Sequence, residues 1–304
     1  MLRQLFLALS ENPRARAFAL QHPVGRRAAR RFVAGETLEE ALVVAGRLAD
    51  EGFRVSLNLL GEKTTTLDEA DTAASAYEDI LRQLGGRRWD CYVSVKLTQL
   101  GLDFGVDAAL VRLRRLLERA KQSGTFIRVD MEHSPYVDAT LDALLRCKAE
   151  GFERLGGVIQ AYLYRSMDDL ERLVRAGIPI RLVKGAYAEP PTIAYPKKRD
   201  VDANYRRLQE RLLRDAGYHA IATHDERLVE AAIGQARRGG LGTDRFEFQM
   251  IYGVRRELAA KLRDAGYRMR IYVPYGSQWY PYFMRRLAER PANVTFVLRN
   301  LLRG

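Results

Sequence analysis

Two arginines near the carboxyl end of the chain have the spacing that a carboxylate-binding helix requires. Ser277 can cap a helix and Pro281 suits its first turn, so the sequence after Gly276 is predicted to be helical. On that helix, side chains at i, i+3, i+4 and i+7 share one face: Tyr282, Arg285, Arg286 and Glu289. Two guanidinium groups beside an aromatic ring could bind a small carboxylate. Taken alone, the pattern fits a solvent-exposed charged face better.

The other side of this helix is apolar, and a strand leads into it. Trp279, Phe283 and Leu287 lie on that side, which we expect to pack against the protein. Residues 272–276 read as the end of a strand followed by a Pro-Tyr-Gly turn. The remainder of the fold therefore decides whether the arginines face solvent or a site.

Short β-rich runs alternate with amphipathic helical stretches through most of the chain. The runs begin near Phe53, Cys91, Phe126, Gly157, Pro179, His219, Phe246 and Met269. Helices between them are predicted over 107–122, 138–150, 166–176, 202–215, 226–238 and 254–265, the third beginning with Ser166 and Asp169 as N-terminal signals. Eight alternations within about 240 residues favour an α/β fold of the (β/α)8 barrel type over an open doubly wound sheet.

The first fifty residues differ from the rest because they read as helices only. Thr37 and Glu40 form a capping box ahead of an apolar helical pattern. No Pro- or Gly-rich linker interrupts the chain after residue 53. We therefore predict an N-terminal helical extension (1–50) and one barrel domain (51–304).

Polar and apolar residues alternate in the strands, although parallel barrel strands are usually apolar throughout. If the apolar set faces the helices, the polar set lines the lumen: Tyr92, Ser94, Lys96, Thr98, Arg128, Asp130, Glu132, Arg181, Glu247, Gln249, Arg270 and Tyr272. Buried charges need partners, and internal pairs such as Arg128 with Glu247 would satisfy some of them. Lys96, Asp130, Gln160 and Arg181, however, fall toward the carboxyl ends of strands, where barrel enzymes build their sites. This placement favours a polar ligand site.

The fourth, fifth and sixth strands carry residues suited to a cofactor. Gln160 can donate and accept at a ring edge, and Gly185 after Lys184 allows a ligand close to the backbone. Thr223 and His224 end strand six with donors suited to phosphate, although His224 alone also fits an ordinary loop histidine. Neither G-x-G-x-x-G nor G-x-x-x-x-G-K-[ST] occurs, so no Rossmann or P-loop site is indicated.

Composition limits the remaining function classes. The net charge of +12 favours anionic partners, but the basic residues are spread along the chain apart from a cluster at 26–31, and no nucleic-acid-binding motif appears. No apolar run approaches the roughly 20 residues that span a bilayer. Cys91 and Cys147 are far apart and expected to be reduced, and the histidine spacing indicates no metal site. Without an A-x-A-like cleavage site near the amino terminus, a cytoplasmic location is expected.

The motifs of the chain, taken in order, resemble flavin-dependent proline dehydrogenase in its short, bacterial, monofunctional form. The resemblance covers residues 53–297 and all eight predicted strands. Its motifs are NLLGE (58–62), SVKLTQLGL (94–102), RVDME (128–132), IQAYL (159–163), RLVKGAY (181–187), ATHD (222–225), FEFQMIYG (246–253) and IYVPYG with WYPYFMRRLAE (271–289). It implies a distorted (β/α)8 TIM barrel whose last helix lies over the barrel mouth.

The resemblance also implies an FAD site at the carboxyl ends of the strands. Arg181 is expected beside flavin N5, Gln160 beside a ring carbonyl, and Asp130 at the family's catalytic acidic position. Further contacts with the flavin or its phosphates are implied for Met131, Val183, Lys184, Gly185, Ala186, Thr223 and His224. The family often has Trp where Ala188 follows the GAY motif here, so the chain departs from the family pattern in the region expected to meet the ribityl or adenine part of the cofactor.

The substrate implied by the resemblance is L-proline, which is oxidised to 1-pyrroline-5-carboxylate. Arg285 and Arg286 are expected to pair with the substrate carboxylate, and Lys96 to complete this clamp. Tyr272, Tyr282 and Glu289 would wall the pocket. Glu62 could pair with one of the arginines and gate entry, which is a hypothesis.

The resemblance implies partners that the residues do not specify. Electrons would pass to a quinone, which a basic surface and peripheral contact with the inner face of the cell membrane would fit. A separate dehydrogenase would take the product, because the chain carries no second catalytic domain. Two alternatives remain open: oxidation of hydroxyproline, which the bulk of Tyr272 disfavours, and a basic nucleic-acid or membrane binder without activity.

Overall fold

Eight parallel strands close into a barrel in the computed structural model, which describes Asn12 and residues 29–61 and 63–289. The strand order follows the sequence, and β1 pairs with β8 to close the sheet. The strands are β1 (Arg54–Leu59), β2 (Cys91–Val95), β3 (Ile127–Val129), β4 (Leu155–Gln160), β5 (Ile180–Val183), β6 (His219–Ala222), β7 (Phe246–Ile251) and β8 (Arg268–Tyr275). The predicted (β/α)8 fold is therefore confirmed.

Helices follow the strands on the outside of the barrel. The α-helices of the described ranges are α1 (Leu38–Asp50), α2 (Leu67–Leu84), α3 (Val106–Ser123), α4 (Val137–Ala149), α5 (Ser166–Arg175), α6 (Lys198–Leu213), α7 (Glu226–Arg238), α8 (Arg256–Asp264) and α9 (Trp279–Glu289). Short 3-10 turns follow β2 (Leu97–Leu100 and Leu102–Phe104) and β3 (Ser134–Tyr136). No helix of the described chain is long and apolar enough to cross a membrane.

The local signals at the helix starts are only partly correct. The capping box of α1 is present, because Glu40 N–H donates to Thr37 Oγ1 (3.3 Å) and Thr37 N–H donates to Glu40 Oε2 (3.3 Å). Ser166, in contrast, is the first residue of α5 and not its cap, and its hydroxyl donates to Gln160 O (2.7 Å). Helix α9 begins two residues after Ser277. The division at residue 50 stays a prediction.

The alternation of the strands separates two environments. Apolar strand residues such as Val93, Val95 and Phe248 are fully buried in the hydrophobic core that the outer helices share. The polar set faces the lumen and is joined there by hydrogen bonds from strand to strand. Glu247 accepts from Arg270 Nε (2.9 Å), and Arg270 also donates to the carbonyl of Val55 (2.7 Å). Burial raises the pKa of Glu247, but Arg270, helped by Gln249 and Arg128, more than offsets this and leaves that pKa below its usual value.

The expected pair of Arg128 with Glu247 is wrong, because Glu247 pairs with Arg270. Arg128 Nη1 instead donates to the carbonyls of Gly157 (3.1 Å) and Pro179 (2.6 Å). Gly156 leaves the room for this, since a Cβ there would lie 2.5 Å from Arg128 Nη1. The alternation of the strand predicts that Arg128 points inward. It does not predict whether the partner is a carboxylate or a backbone carbonyl.

His219 at the start of β6 is the buried histidine of the barrel. Its Nδ1 accepts from Ile180 N–H (3.1 Å), and Nε2 lies 2.9 Å from Asp215 Oδ2. Protonating Nδ1 would break the first bond. Burial lowers the pKa of His219, and Asp215 offsets only part of that effect.

We expect the free energy of unfolding to fall as pH drops from about 7 to about 5. The unfolded chain gains a proton at His219 near pH ~6.5, whereas the folded protein resists it because its pKa is lowered. His219→Asn keeps an acceptor for Ile180 N–H but does not titrate, so its stability should change less over this range. Denaturant unfolding at both pH values measures the difference, and equal pH dependence in both proteins would contradict the assignment.

Candidate active site

A cavity of about 1020 Å³ opens at the carboxyl ends of the strands, where a barrel enzyme carries its site. All predicted site residues whose side chains the structure describes line it: Lys96, Asp130, Met131, Gln160, Arg181, Val183, Lys184, Gly185, Ala186, Thr223, His224, Tyr272 and Tyr282. Pro281 and Tyr282 from the first turn of α9, with Gln278 just before it, are among the lining residues, so this helix lies at the barrel mouth as predicted. One cavity thus joins residues from β2 to α9.

Arg181 is held in this cavity by three side-chain hydrogen bonds. It projects from β5 into the lumen because its neighbours Ile180 and Leu182 are buried in the outer core. Its Nη1 donates to Asp130 Oδ1 (2.6 Å), and its Nη2 donates to Ser94 Oγ (2.9 Å) and Tyr92 Oη (3.1 Å). Two side chains of β2 and one from the residue after β3 therefore hold the guanidinium group in a single orientation.

Asp130 joins Arg181 to the aromatic wall of the cavity. Tyr272 Oη donates to Asp130 Oδ2 (2.9 Å), and the guanidinium carbon of Arg181 lies 5.2 Å from the centre of the Tyr272 ring. Burial and then the negative charge of Asp130 raise the pKa of Tyr272 well above its usual value, so the phenol stays protonated. Burial alone would lower the pKa of Arg181, but Tyr92, Asp130 and Tyr272 more than offset this and raise it.

Gln160 at the end of β4 is oriented by the loop after β3. Its Nε2 donates to the carbonyl of Glu132 (2.8 Å), and the Glu132 carboxylate accepts from Thr98 Oγ1 (2.6 Å). Gln160 and Lys96 are 3 % and 8 % exposed, so a ligand in the cavity would meet both in a setting with little water. Both residues lie toward the carboxyl ends of their strands, as the sequence predicts.

The loop after β5 approaches the cavity through Gly185. This residue has φ +110°, and a Cβ there would lie 2.2 Å from the ring of Tyr162, so only glycine fits. Lys184 Nζ lies 2.6 Å from Asp202 and 2.9 Å from Asp225, and Lys198 bonds to the same two carboxylates. The Lys184 ammonium group is thus paired with two aspartates. A phosphate bound by Lys184 would have to share the ammonium group with them.

His224 and Thr223 lie at the end of β6 as predicted. His224 Nε2 accepts from Ile251 N–H (2.9 Å), so the proton of a neutral ring is on Nδ1. Thr223 Oγ1 accepts from Asp225 N–H (3.1 Å) at the start of α7. Backbone bonds therefore set the orientation of both side chains.

The cavity also includes residues that the sequence did not assign to it. They are Asn58, Leu60, Gly61, Val158, Tyr187, Lys198, Ala222, Asp225, Glu226, Arg227, Glu230, Gln249, Met250, Ile251, Arg255, Gln278 and Pro281. The strand alternation already placed Gln249 in the lumen, and extending it to β1 would have found Asn58. Arg255, which pairs with Glu226 (2.6 Å) and has φ +51°, carries no such signal.

Part of the predicted substrate clamp lies outside the described residues. The backbone of α9 includes positions 285, 286 and 289, but the side chains of Arg285, Arg286 and Glu289 are not described, and neither is Glu62. The roles predicted for these four residues stay predictions. Within the described residues, no group of His, Cys, Asp and Glu has the arrangement of a metal site, and Cys91 and Cys147 are free thiols.

Comparison with known proteins finds relatives of this chain in one family. The family model for proline dehydrogenase matches residues 41–299. Proline dehydrogenase 1 of Bacillus subtilis (strain 168) is 41% identical over 303 residues, which cover 100% of both chains. The proline dehydrogenase of Deinococcus radiodurans is 40% identical over 311 residues, covering 100% of this chain and 99% of the other.

A solved structure shares the architecture. The crystal structure of proline utilization A from Bdellovibrio bacteriovorus, inactivated by N-propargylglycine, superposes with a TM-score of 0.81 at 28% identity. The match covers 87% of this chain and 33% of that longer chain. Full-length similarity to short relatives and the shared barrel lead to one conclusion: the chain belongs to the proline dehydrogenase family.

Proposed function

We propose that this protein oxidises L-proline to 1-pyrroline-5-carboxylate in proline catabolism, with FAD as its cofactor. The observation that carries the proposal is the Arg181 arrangement, in which a buried cation is held by Asp130, Ser94 and Tyr92 at the floor of a large cavity. A fixed cation of this kind stabilises negative charge on a ligand at low cost in reorganisation. The proline dehydrogenase family is a flavoprotein family, and a flavin gains such charge on reduction.

The residues of the cavity fit a flavin ring. Within the described residues, Arg181 Nε, Gln249 Oε1 and both polar atoms of the Asn58 side chain are buried without a hydrogen-bond partner. All three residues line the cavity. A flavin has donors and acceptors at its ring edge, so it could satisfy groups that are otherwise costly to bury.

The extent of the cavity supports FAD over a shorter flavin. The lining continues from Arg181 along the 184–187 loop to Thr223 and His224, and then to Arg227 and Glu230 of α7. Lys184, Gly185, Ala186, Thr223 and His224 would hold the phosphates, and Met131, Val183 and Gln160 the ring system. The cavity extends past the proposed phosphate site to α7, so it has room there for a further group of the cofactor.

The flavin, when bound, would accept a hydride at N5 from C5 of proline. The chain would orient the reactants. Arg181 would lie beside N5, and Asp130 would keep Arg181 and Tyr272 in place through its two oxygens. Tyr272 and Tyr282 would form flat walls that exclude water from a small ring.

Positively charged side chains around the cavity would hold the substrate carboxylate. Lys96 lines the cavity from the end of β2. Arg285 and Arg286 would complete the clamp from α9, with Glu289 near them, because Tyr282 one turn earlier already lies in the cavity. Bidentate pairing with guanidinium groups would fix the proline ring in one pose.

We further propose a quinone as the electron acceptor and a separate dehydrogenase for the product. A basic surface with a net charge of +12 would suit contact with an anionic membrane face. A cytoplasmic location with peripheral membrane contact follows from these two proposals. Vesicle co-sedimentation with anionic and neutral lipids would distinguish peripheral binding from none.

Spectroscopy of the purified protein tests the proposed function. We expect a yellow protein whose visible absorption bleaches on addition of proline without oxygen, and acid release of FAD and not FMN. Hydroxyproline should bleach it poorly, because the half-buried Tyr272 ring lines the cavity and its hydroxyl is fixed on Asp130. A colourless protein that does not bind added FAD would overturn the proposal and favour the non-enzymatic alternative.

A further inference from the structure

A short segment at residues 29–36 runs along the side of α9 away from the cavity. It is tied to the chain just before α9 by two backbone hydrogen bonds. Ala34 N–H donates to Pro274 O (2.8 Å), and Gly276 N–H donates to Gly35 O (2.9 Å). The 29–36 segment is therefore fixed to the chain at the point where β8 leads into α9.

An apolar cluster separate from the barrel core joins this segment to α9. Phe32 is completely buried, and its ring centre lies 6.2 Å from that of Phe283. The buried members of the cluster are Ala29, Phe32, Val33, Leu60, Trp279, Tyr280, Tyr282, Phe283 and Met284. The sequence predicts that Trp279, Phe283 and Leu287 pack against the protein. The structure identifies the 29–36 segment as a partner of the first two, and the side chain of Leu287 lies outside the described residues.

A polar contact complements this packing. Trp279 Nε1 donates to Glu36 Oε1 (3.1 Å), and Trp279 is only 2 % exposed. Glu36 N–H donates in turn to Glu40 Oε2 (2.7 Å), the carboxylate of the capping box of α1. The indole of α9 is thus linked to the start of α1 by a charged hydrogen bond, a stronger type than a neutral one.

The segment also fits closely against the loop after β7. Gly253 has φ +76°, and a Cβ there would lie 1.7 Å from the carbonyl oxygen of Arg31. A side chain at 253 would therefore displace the segment. Loops from two neighbouring strands and α9 together determine where the segment lies.

Helix α9 consequently has two working sides. Pro281 and Tyr282 line the cavity, whereas Trp279 and Phe283 pack against the segment. We propose that the 29–36 segment positions α9 for binding of the substrate carboxylate, so that Phe32 and Glu36 act as positioning residues for substrate affinity. This inference rests on the proposed function.

The 29–36 segment should raise the fraction of molecules in which α9 is seated, that is, packed in its place at the barrel mouth. Without the segment, the apolar side of α9 would face water, and the helix would occupy its seated position for less of the time. Apparent affinity falls in proportion to that fraction. Arg181, Asp130 and Gln160 are held by strands and loops elsewhere, so the chemical step should change little once the substrate is bound.

Three variants with a matched control test the inference. Phe32→Ala should raise the Michaelis constant for proline about tenfold, and Trp279→Phe and Glu36→Ala about threefold each, with kcat within about twofold of the parent value. Because Trp279→Phe and Glu36→Ala remove the same hydrogen bond, the double variant should raise that constant no more than either single variant. The control is Phe53→Ala, which removes a buried ring at the start of β1, at the opposite end of the barrel.

Different outcomes separate a positioning role from a structural one. Phe53→Ala should lower the melting temperature without changing the Michaelis constant for proline. Pyrrolidine lacks the carboxylate but still meets Tyr282 of α9, so Phe32→Ala should weaken its binding much less than that of proline. An equal change of that constant in Phe32→Ala and Phe53→Ala, or no change in any variant, would overturn the inference. If Phe32→Ala does not fold, the Michaelis constants of Trp279→Phe, Glu36→Ala and the double variant test the inference instead. A parent protein that proline does not reduce would instead reject the proposed function.

Discussion

Replacing Arg181 by glutamine is expected to lower kcat for proline oxidation by about 10²- to 10³-fold, the effect of removing one preorganised donor from a low-dielectric site. Arg181 is 5 % exposed and donates to Asp130, Ser94 and Tyr92. Glutamine removes the cation, and it leaves Asp130 buried with Tyr272 as its remaining neutral donor. Stopped-flow reduction of the bound flavin by proline measures the change at the chemical step.

A charge-conserving variant separates the two functions of Arg181. Arg181→Lys keeps the cation but cannot reach Asp130, Ser94 and Tyr92 at once, so we expect a rate between those of the parent and Arg181→Gln. Flavin content and melting temperature should be measured beside the rate, because loss of the cation also destabilises the folded state. If Arg181→Gln binds flavin and keeps more than about a tenth of kcat, Arg181 does not stabilise the reacting cofactor.

Replacing Arg286 by alanine should raise the Michaelis constant for proline by about 30- to 5,000-fold, the loss of about 2–5 kcal/mol that truncating one partner of a buried charge pair causes. The described start of α9 supports this placement, because Tyr282, one turn before position 286, lines the cavity. The reduction rate at saturating proline should fall much less. Steady-state kinetics over a wide range of proline concentration measures both.

A matched arginine elsewhere provides the control. Arg206 is exposed on α6 and does not line the cavity, so Arg206→Ala should leave the Michaelis constant for proline unchanged. Both variants lower the net charge by one unit, which removes general electrostatic attraction as an explanation. A change of less than about threefold for Arg286→Ala would contradict the clamp.

The barrel could be predicted because its signals are local. Strand starts at Cys91, His219 and Phe246 agree with the structure, since a period of two in hydrophobicity and the length of each run depend only on nearby residues. The same alternation placed Asp130 and Arg181 in the lumen before any contact was known. Motifs in all eight strands then indicated the family, which the full-length relatives confirm.

The hydrogen-bond and ion-pair partners of the inward-facing side chains could not be predicted in the same way. Arg128 and Arg270 have the same lumen-facing pattern, yet one bonds to backbone carbonyls and the other to Glu247. Lys184 follows a strand like other phosphate-binding lysines, yet it pairs with Asp202 and Asp225, which come from later elements. These choices depend on distances across the barrel, which a one-dimensional pattern does not contain.

The sequence by itself determined the fold class, the family and the side of each strand that meets the ligand, because periodicity and motif order are properties of the chain. Only the tertiary structure decided which groups meet. It brings Arg181 from β5 to Asp130 after β3 and Ser94 on β2, and it places the 29–36 segment against α9, about 250 residues later in the chain. The reason is that burial rewards contacts between surfaces of matching shape and charge, whatever their separation along the sequence.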